Sequence, residues 1–229
     1  DRLTLTPERI AGIVDGVRQV IALPDPIGQV TKMETRPNGL IIGRRRVPLG
    51  VVAIIFEARP NVTVDAAALC LKSGNVCILR GGKEAIRSNR CVAQLMRDAL
   101  RSVGLPEDCI SLVQDTSHET ANELMHLDGY VDVLIPRGGA GLINACVQNA
   151  TVPCIHTGTG ICHIYVDKAA DIEMALNIVE NAKTSRPSVC NAAEVCVVHS
   201  DIIGEFLPRL HDRIASDRAS KGLSPVEFR

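Results

Sequence analysis

Apolar positions set the rhythm of the chain. Ile10, Ile13, Val14, Val17, Val20 and Ile21 recur at helical spacing behind Thr6 and Pro7, a cap and first-turn pair. They predict an amphipathic helix of about four turns. Pro24 and Pro26 end it, and the stretches 29–35 and 40–47 then flank the turn signal Pro37-Asn38-Gly39, which predicts a hairpin. From Gly50 the pattern changes to short branched runs at 51–56, 76–79, 110–113 and 131–135. They alternate with helical patterns at 62–72, 84–103 and 117–126, the last opened by a Thr116-x-x-Glu119 capping box. Strand, helix, strand in repetition predicts a parallel sheet with right-handed crossovers and helices on both faces.

The pattern breaks after Val152-Pro153, where His156-Thr-Gly-Thr-Gly160 reads as a flexible crossing. Beyond it the chain predicts a strand at 162–166, a helix at 171–183 and a strand at 194–199. A last helix, at 201–215, is capped by Asp201 and carries Ile202, Ile203, Phe206, Leu207, Leu210 and Ile214 on one face. Residues 220–229 have no periodicity. The expected organisation is a nucleotide-type domain over 1–155, with the hairpin at 28–47, followed by 156–229 as part of a second α/β domain.

Composition narrows the partners. At 229 residues with 46% apolar side chains the chain can bury a real core. A net charge of −1, no Trp, two Tyr and three Phe argue against nucleic acid, which is met by basic patches and aromatic stacking. No apolar run approaches the length that crosses a bilayer, and Asp1-Arg2 does not begin a signal peptide, so no membrane partner is expected. Nine cysteines are an odd number scattered through apolar segments, which points to reduced thiols in the cytoplasm. Cys154-x-His156 and Cys162-His163 lack paired ligand spacing, so no metal site is expected.

Three stretches carry candidate chemistry. Leu79-Arg-Gly-Gly-Lys83 and Ile135-Pro-Arg-Gly-Gly-Ala-Gly141 both sit at predicted strand ends, where parallel sheets bind ligands. Arg80, Gly81, Gly82 and Lys83 in one, and Arg137, Gly138 and Gly139 in the other, offer a cation and glycine amides before a helix start. The alternative for each is a tight strand-to-helix turn without ligand, and neither matches G-x-G-x-x-G. In the third stretch, 183–194, Pro187 stiffens the approach to Cys190, and Arg186 with free N–H groups would favour the thiolate. The alternative there is a small buried apolar cysteine. Arg44-Arg45-Arg46 reads as a solvated hairpin face rather than an anion site.

Arg186-Pro-Ser-Val-Cys-Asn-Ala-Ala-Glu194 resembles the nucleophile segment of the γ-glutamyl phosphate reductases, a proline-biosynthesis branch of the aldehyde dehydrogenase superfamily. The stretches 47–52, 57–75, 78–82, 135–139, 149–153 and 162–167 resemble that family in order. The resemblance implies an aldehyde-dehydrogenase-like fold, a parallel-sheet Rossmann-type dinucleotide-binding domain plus the start of an α/β catalytic domain. It also implies a fragment, lacking an N-terminal portion and most of the later catalytic domain.

The implied reaction is NADPH-dependent reduction of L-glutamyl 5-phosphate to L-glutamate 5-semialdehyde, through a thioester on Cys190. The implied roles are Asn61 or Asn191 as amide at the oxyanion, Arg59 or Arg186 for the substrate carboxylate, and His156 where hydrolytic relatives carry a glutamate. The cations Arg80 and Lys83 favour NADP(H) over NAD(H). A hairpin like that at 28–47 packs between subunits in the superfamily, so a homo-oligomer is expected. The rivals are a catalytically silent dinucleotide-binding module and an aldehyde dehydrogenase acting on another acyl donor.

Overall fold

Thr6 Oγ1 accepts a hydrogen bond from the Arg9 N–H at 3.3 Å, and with Pro7 in the first turn this starts α1 (Pro7–Ala22). The structure is a computed structural model that describes residues 3–57, 59–158, 160–187 and 189–228. None of the α1 side chains is buried; Lys72 Nζ ties the helix end down by donating to the Ile21 carbonyl at 3.1 Å. The hairpin follows as β1 (Val30–Thr35) and β2 (Ile41–Arg45), antiparallel, with Gly39 at φ +84° in the turn. Every residue of both strands is exposed.

The sheet is then built from β3 (Val51–Phe56), β4 (Val76–Arg80), β5 (Ile110–Leu112) and β6 (Val133–Arg137), all parallel, in the order β5-β4-β3-β6. Between them run α2 (Pro60–Lys72), α3 (Ile86–Ser102) and α4 (His118–Met125), and α5 (Ala140–Asn149) follows β6. A bridge from Leu134 to Cys154 lengthens the sheet beyond β6. Pro136 in β6 has no N–H to give, and it is tolerated because that bridge lies two residues earlier.

Strand β3 explains why helices cover both faces. Val52, Ile54 and Phe56 face Ala67 and Cys70 of α2 and Leu100 of α3, while Ala53 and Ile55 face Ala121, Leu124 and Met125 of α4 and Cys146 of α5. Alternate side chains are thus buried on opposite faces, as a central parallel strand requires. Truncating the fully buried Ile55 to Ala would cost about 2–5 kcal/mol.

The chain divides into two compact units, Asp1–Thr157 and Gly158–Arg229. The second contains β7 (Cys162–Val166) and β8 (Ala193–Val198), paired in parallel, with α6 (Ile172–Thr184) between them. Asp171 caps α6 by accepting the Met174 N–H at 2.8 Å. Val166, Leu176, Val179, Phe206, Leu210 and Ile214 form its core. The last helix starts as α7 (Ile203–His211), passes through a π-helical turn at Asp212–Ser216 and ends as α8 (Asp217–Ser220).

The mixed α/β fold with its parallel sheet is as expected, and four local expectations change. Ser117, not Thr116, caps α4, since its Oγ accepts the Thr120 N–H at 3.3 Å. Asp201 does not cap α7, whose N-cap is Ile202 without a side-chain bond; the Asp201 N–H turns back to His199 Nδ1 at 3.1 Å. The β6 strand lies two residues later than the apolar run, because Val131 is held in a turn by Leu127 and Asp132 reaches across to the Val51 N–H. Pro60 at the first turn starts α2 earlier than its apolar pattern.

Candidate active site

In the first unit the strand order reverses at β3: β4 and β5 lie to one side and β6 to the other. The crevice between the carboxyl ends of β3 and β6 is where doubly wound sheets bind ligands. Here that crevice holds a side chain. Glu57, directly after β3, donates its N–H to the Arg137 carbonyl at 3.4 Å, and its Oε2 accepts the Gly139 N–H at 3.2 Å. Gly139 is the N-cap of α5 and has no side-chain cap of its own, so the Glu57 carboxylate serves as the anion at the helix start. A side chain at Gly138 would displace Glu57 and Leu142, since a Cβ would lie 2.7 Å from Glu57 Cδ and 2.8 Å from Leu142 Cδ2. The Arg137-Gly138-Gly139 loop therefore spends an amide on an internal carboxylate, which disfavours a phosphate at that point.

The turn after β4 is built differently. Gly81 is buried against Phe56 and Asn89, and a Cβ on it would lie 2.3 Å from Asn89 Nδ2 and 3.1 Å from the Phe56 ring. Asn89 is fully buried, accepts from Thr63 Oγ1 at 3.1 Å, and leaves Nδ2 without a partner among the described residues. Gly82 heads the short 3-10 turn Lys83–Ala85, which leads straight into α3 and has no side-chain cap. Uncapped amides at that start and the exposed Lys83 suit an anionic group.

Arg80 does not join Lys83 as a loop cation. Its Nη2 donates to the carbonyls of Thr116 and Ser117 at 2.7 and 2.8 Å, bracing β4 against the start of α4, and its Nε is buried. Glu57 and Glu84 border the same turn: the backbone of Glu57 lies 3.5 Å and Glu84 Oε2 2.7 Å from the place of a Gly82 Cβ.

In the second unit Cys190 stands at the corner of a turn. The Val189 N–H bonds the Arg186 carbonyl at 3.3 Å and the Ala192 N–H bonds the Val189 carbonyl at 3.2 Å, so Cys190 and Asn191 are the two central residues of the second turn. Cys190 is exposed, unlike Cys70, Cys77 and Cys146. The reading of Cys190 as a core residue is therefore set aside. Among the buried thiols, the hydrogen bond that Cys77 shares with Cys70, with burial added, raises Cys77, and burial pushes Cys146 up to about 11. Cys162, at the start of β7, points its Sγ at the Cys190 carbonyl oxygen, 3.5 Å away.

The remaining candidates are placed as follows. Asn61 Nδ2 is held by Asp65 Oδ2 at 2.9 Å, one turn along α2, so it is engaged as a helix-surface pair. Arg59 is the N-cap of α2. Arg186, Asn191 and His156 are exposed. Sequence reasoning passed over Glu57 and Asn89 and weighed Cys162 only as a metal ligand, although Glu57 and Cys162 lie within the family-like stretches. Two cavities, one of about 320 Å³ beside Arg90 and Arg97 and one of about 500 Å³ beside Glu180 and Arg213, are lined by none of the candidate residues. Among the described residues no cluster of His, Cys, Asp and Glu is placed to hold a metal ion, and no helix is long and apolar enough to cross a membrane.

Comparison with known proteins bears on both units at once. The family model described as "Aldehyde dehydrogenase family" matches residues 3–226. The chain belongs to the aldehyde dehydrogenase family. Within that family it is 62% identical over 208 residues to the γ-glutamyl phosphate reductase of Clostridium perfringens, covering 91% of this chain and 50% of the relative. It is 60% identical over 210 residues to that of Carboxydothermus hydrogenoformans, covering 92% and 51%.

The crystal structure of γ-glutamyl phosphate reductase from Thermotoga maritima superposes with a TM-score of 0.87 at 41% identity, covering 99% of this chain and 57% of that one. An acetylating aldehyde dehydrogenase from Geobacillus thermoglucosidasius shares the fold, with a TM-score of 0.69 at 22% identity, covering 89% of this chain and 44% of that one. The chain spans about half the length of the curated relatives it matches. Aldehyde dehydrogenase membership implies a nicotinamide dinucleotide cofactor, and the relatives are named for a small-molecule substrate.

Proposed function

We propose that this chain is the nucleophile-bearing part of a γ-glutamyl phosphate reductase, reducing L-glutamyl 5-phosphate to L-glutamate 5-semialdehyde with release of phosphate in proline biosynthesis. The observation that carries this reading is the exposed Cys190 at its turn corner, in a chain 62% identical to reductases of that name. The Cys190 thiolate attacks the acyl carbon and the bond to the phosphate oxygen breaks, so phosphate leaves with the electron pair and a thioester remains. NADPH supplies the hydride that reduces this acyl group. The carbon–sulfur bond then breaks and the thiolate is restored as the aldehyde departs.

The first unit serves as the dinucleotide-binding domain and the second as the beginning of the catalytic domain. Gly82 and Lys83 hold the cofactor's adenosine end, and the single cation Lys83 favours the 2′-phosphate of NADP(H). Arg59 and Arg186 are the candidates for the substrate α-carboxylate. Asn191 offers an exposed amide beside the nucleophile for the oxyanion, a better candidate than the engaged Asn61. His156 stands where a carboxylate base would repel phosphate. Free cysteines fit a reducing cytoplasm, and the exposed Val30, Met33, Ile41 and Ile42 of the hairpin fit a subunit contact in a homo-oligomer.

The test runs the full-length protein backwards, with glutamate semialdehyde and NADP. Turnover should require added phosphate, and Cys190→Ser should abolish it while dinucleotide affinity stays within a few-fold. Steady phosphate-free production of glutamate would return the protein to the hydrolytic class. Binding without any turnover would favour the silent module.

A further inference from the structure

Cys162 and Cys190 lie 28 residues apart in sequence, yet the Cys162 sulfur sits 3.5 Å from the Cys190 carbonyl oxygen. The register of β7 against β8 brings this about. Val166 to His163 pair in step with Val198 to Val195, but Cys162 pairs with Ala193 and skips Glu194. That irregularity, a bulge of one residue, draws the start of β7 towards the nucleophile turn.

Covalent geometry keeps any cysteine sulfur within about 5 Å of its own carbonyl oxygen, so the two sulfurs are no more than about 9 Å apart whichever rotamer Cys190 adopts. A disulfide needs its Cα atoms within about 7 Å. Cys190 and Asn191 are exposed at the turn, so bonding requires Cys190 to rotate towards Cys162 together with a shift of the turn.

We propose that Cys162 is the resolving thiol for Cys190, making this pair a reversible oxidation site that protects the nucleophile. This rests on the reading of Cys190 as the reactive thiolate. A hydroperoxide transfers an oxygen atom to the Cys190 thiolate, giving the sulfenic acid and an alcohol or water. The Cys162 thiolate attacks the sulfenic sulfur, the S–S bond forms, and hydroxide leaves to take up the proton released by Cys162. An external dithiol later reduces the bond, becomes a disulfide itself, and restores both thiols. Without Cys162 the sulfenic acid is open to a second peroxide and proceeds to the sulfinic acid, which a dithiol does not reverse.

The experiment treats the full-length protein with hydrogen peroxide and maps cysteine peptides by mass spectrometry before and after dithiothreitol. The wild type should give a Cys162–Cys190 linked peptide and recover its free Cys190 thiol. Cys162→Ser, which keeps a donor for the Cys190 carbonyl, should give sulfinic acid at Cys190 and no recovery. Sulfinic acid at Cys190 in the wild type with Cys162 still a free thiol overturns the proposal, as does a disulfide from Cys190 to any other cysteine. Should the variant fail to fold, the wild-type peptide map decides alone. A parallel iodoacetamide time course separates the two readings: if Cys190 is not alkylated ahead of Cys91 and Cys196, its role as nucleophile fails and the disulfide proposal with it.

Discussion

Lys183 Nζ lies 2.9 Å from Glu194 Oε2, joining the end of α6 to β8 across the loop that carries Cys190. The two residues bound the segment in sequence, so the ion pair closes the loop at its base. The lysine side chain is 27% and the glutamate 50% exposed, which keeps the pair's net stabilisation at about 0–1 kcal/mol. Glu194→Gln should therefore leave the melting temperature almost unchanged while changing the rate of Cys190 alkylation several-fold. An unaltered alkylation rate would show that the turn holds its shape without the clasp.

Glu57 is expected to matter for stability through α5. Removing a helix N-terminal acceptor costs about 0.5–2 kcal/mol, and Glu57→Ala removes the acceptor of the Gly139 N–H. Glu57→Gln keeps a carbonyl oxygen at the same reach and should lose less. Urea unfolding of both variants measures the difference, and equal loss in the two would assign the effect to charge rather than to the hydrogen bond.

Gly81→Ala should destabilise the first unit by overpacking alone, since no positive φ is involved. The new methyl would meet Asn89 Nδ2 at 2.3 Å and the Phe56 ring at 3.1 Å, and both neighbours are buried with nowhere to move. Overpacking of this kind costs about 1–3 kcal/mol. Gly141→Ala, with open space around it, is the control. A Gly81→Ala protein as stable as that control would mean the turn after β4 relaxes freely.

Lys83→Glu tests cofactor choice. With Arg80 occupied by the carbonyls of Thr116 and Ser117, Lys83 is the cation left in that turn, and Glu57 and Glu84 already border it. Reversing its sign should erase or invert a preference for NADPH over NADH, read from dissociation constants for the two. A wild-type protein that prefers NADH would show that the bordering carboxylates, accepting ribose hydroxyls, outweigh Lys83.

Periodicity alone determined the kinds of element and most of their positions, α5 and the π-helical turn before α8 excepted, because a strand buried on both faces and an amphipathic helix leave different spacings of apolar residues. It also marked the glycine turns at the ends of β4 and β6, and the proline-led segment of Cys190, since conformational constraint at Gly and Pro is a property of the residue itself. What only the tertiary structure decided are contacts between residues far apart in the chain. Arg80 was legible as a cation, but not that carbonyls 36 and 37 residues away would claim it.

Glu57 follows β3 without any local sign that an amide 82 residues later would take its carboxylate. Thr116 and Ser117 are equally good caps in sequence, and only the folded backbone shows that the Ser117 hydroxyl takes the place. Cys190 and Cys77 each follow a valine in sequence; one is exposed at a turn and the other fully buried, because burial belongs to the packed sheet and not to the residue's neighbours in sequence.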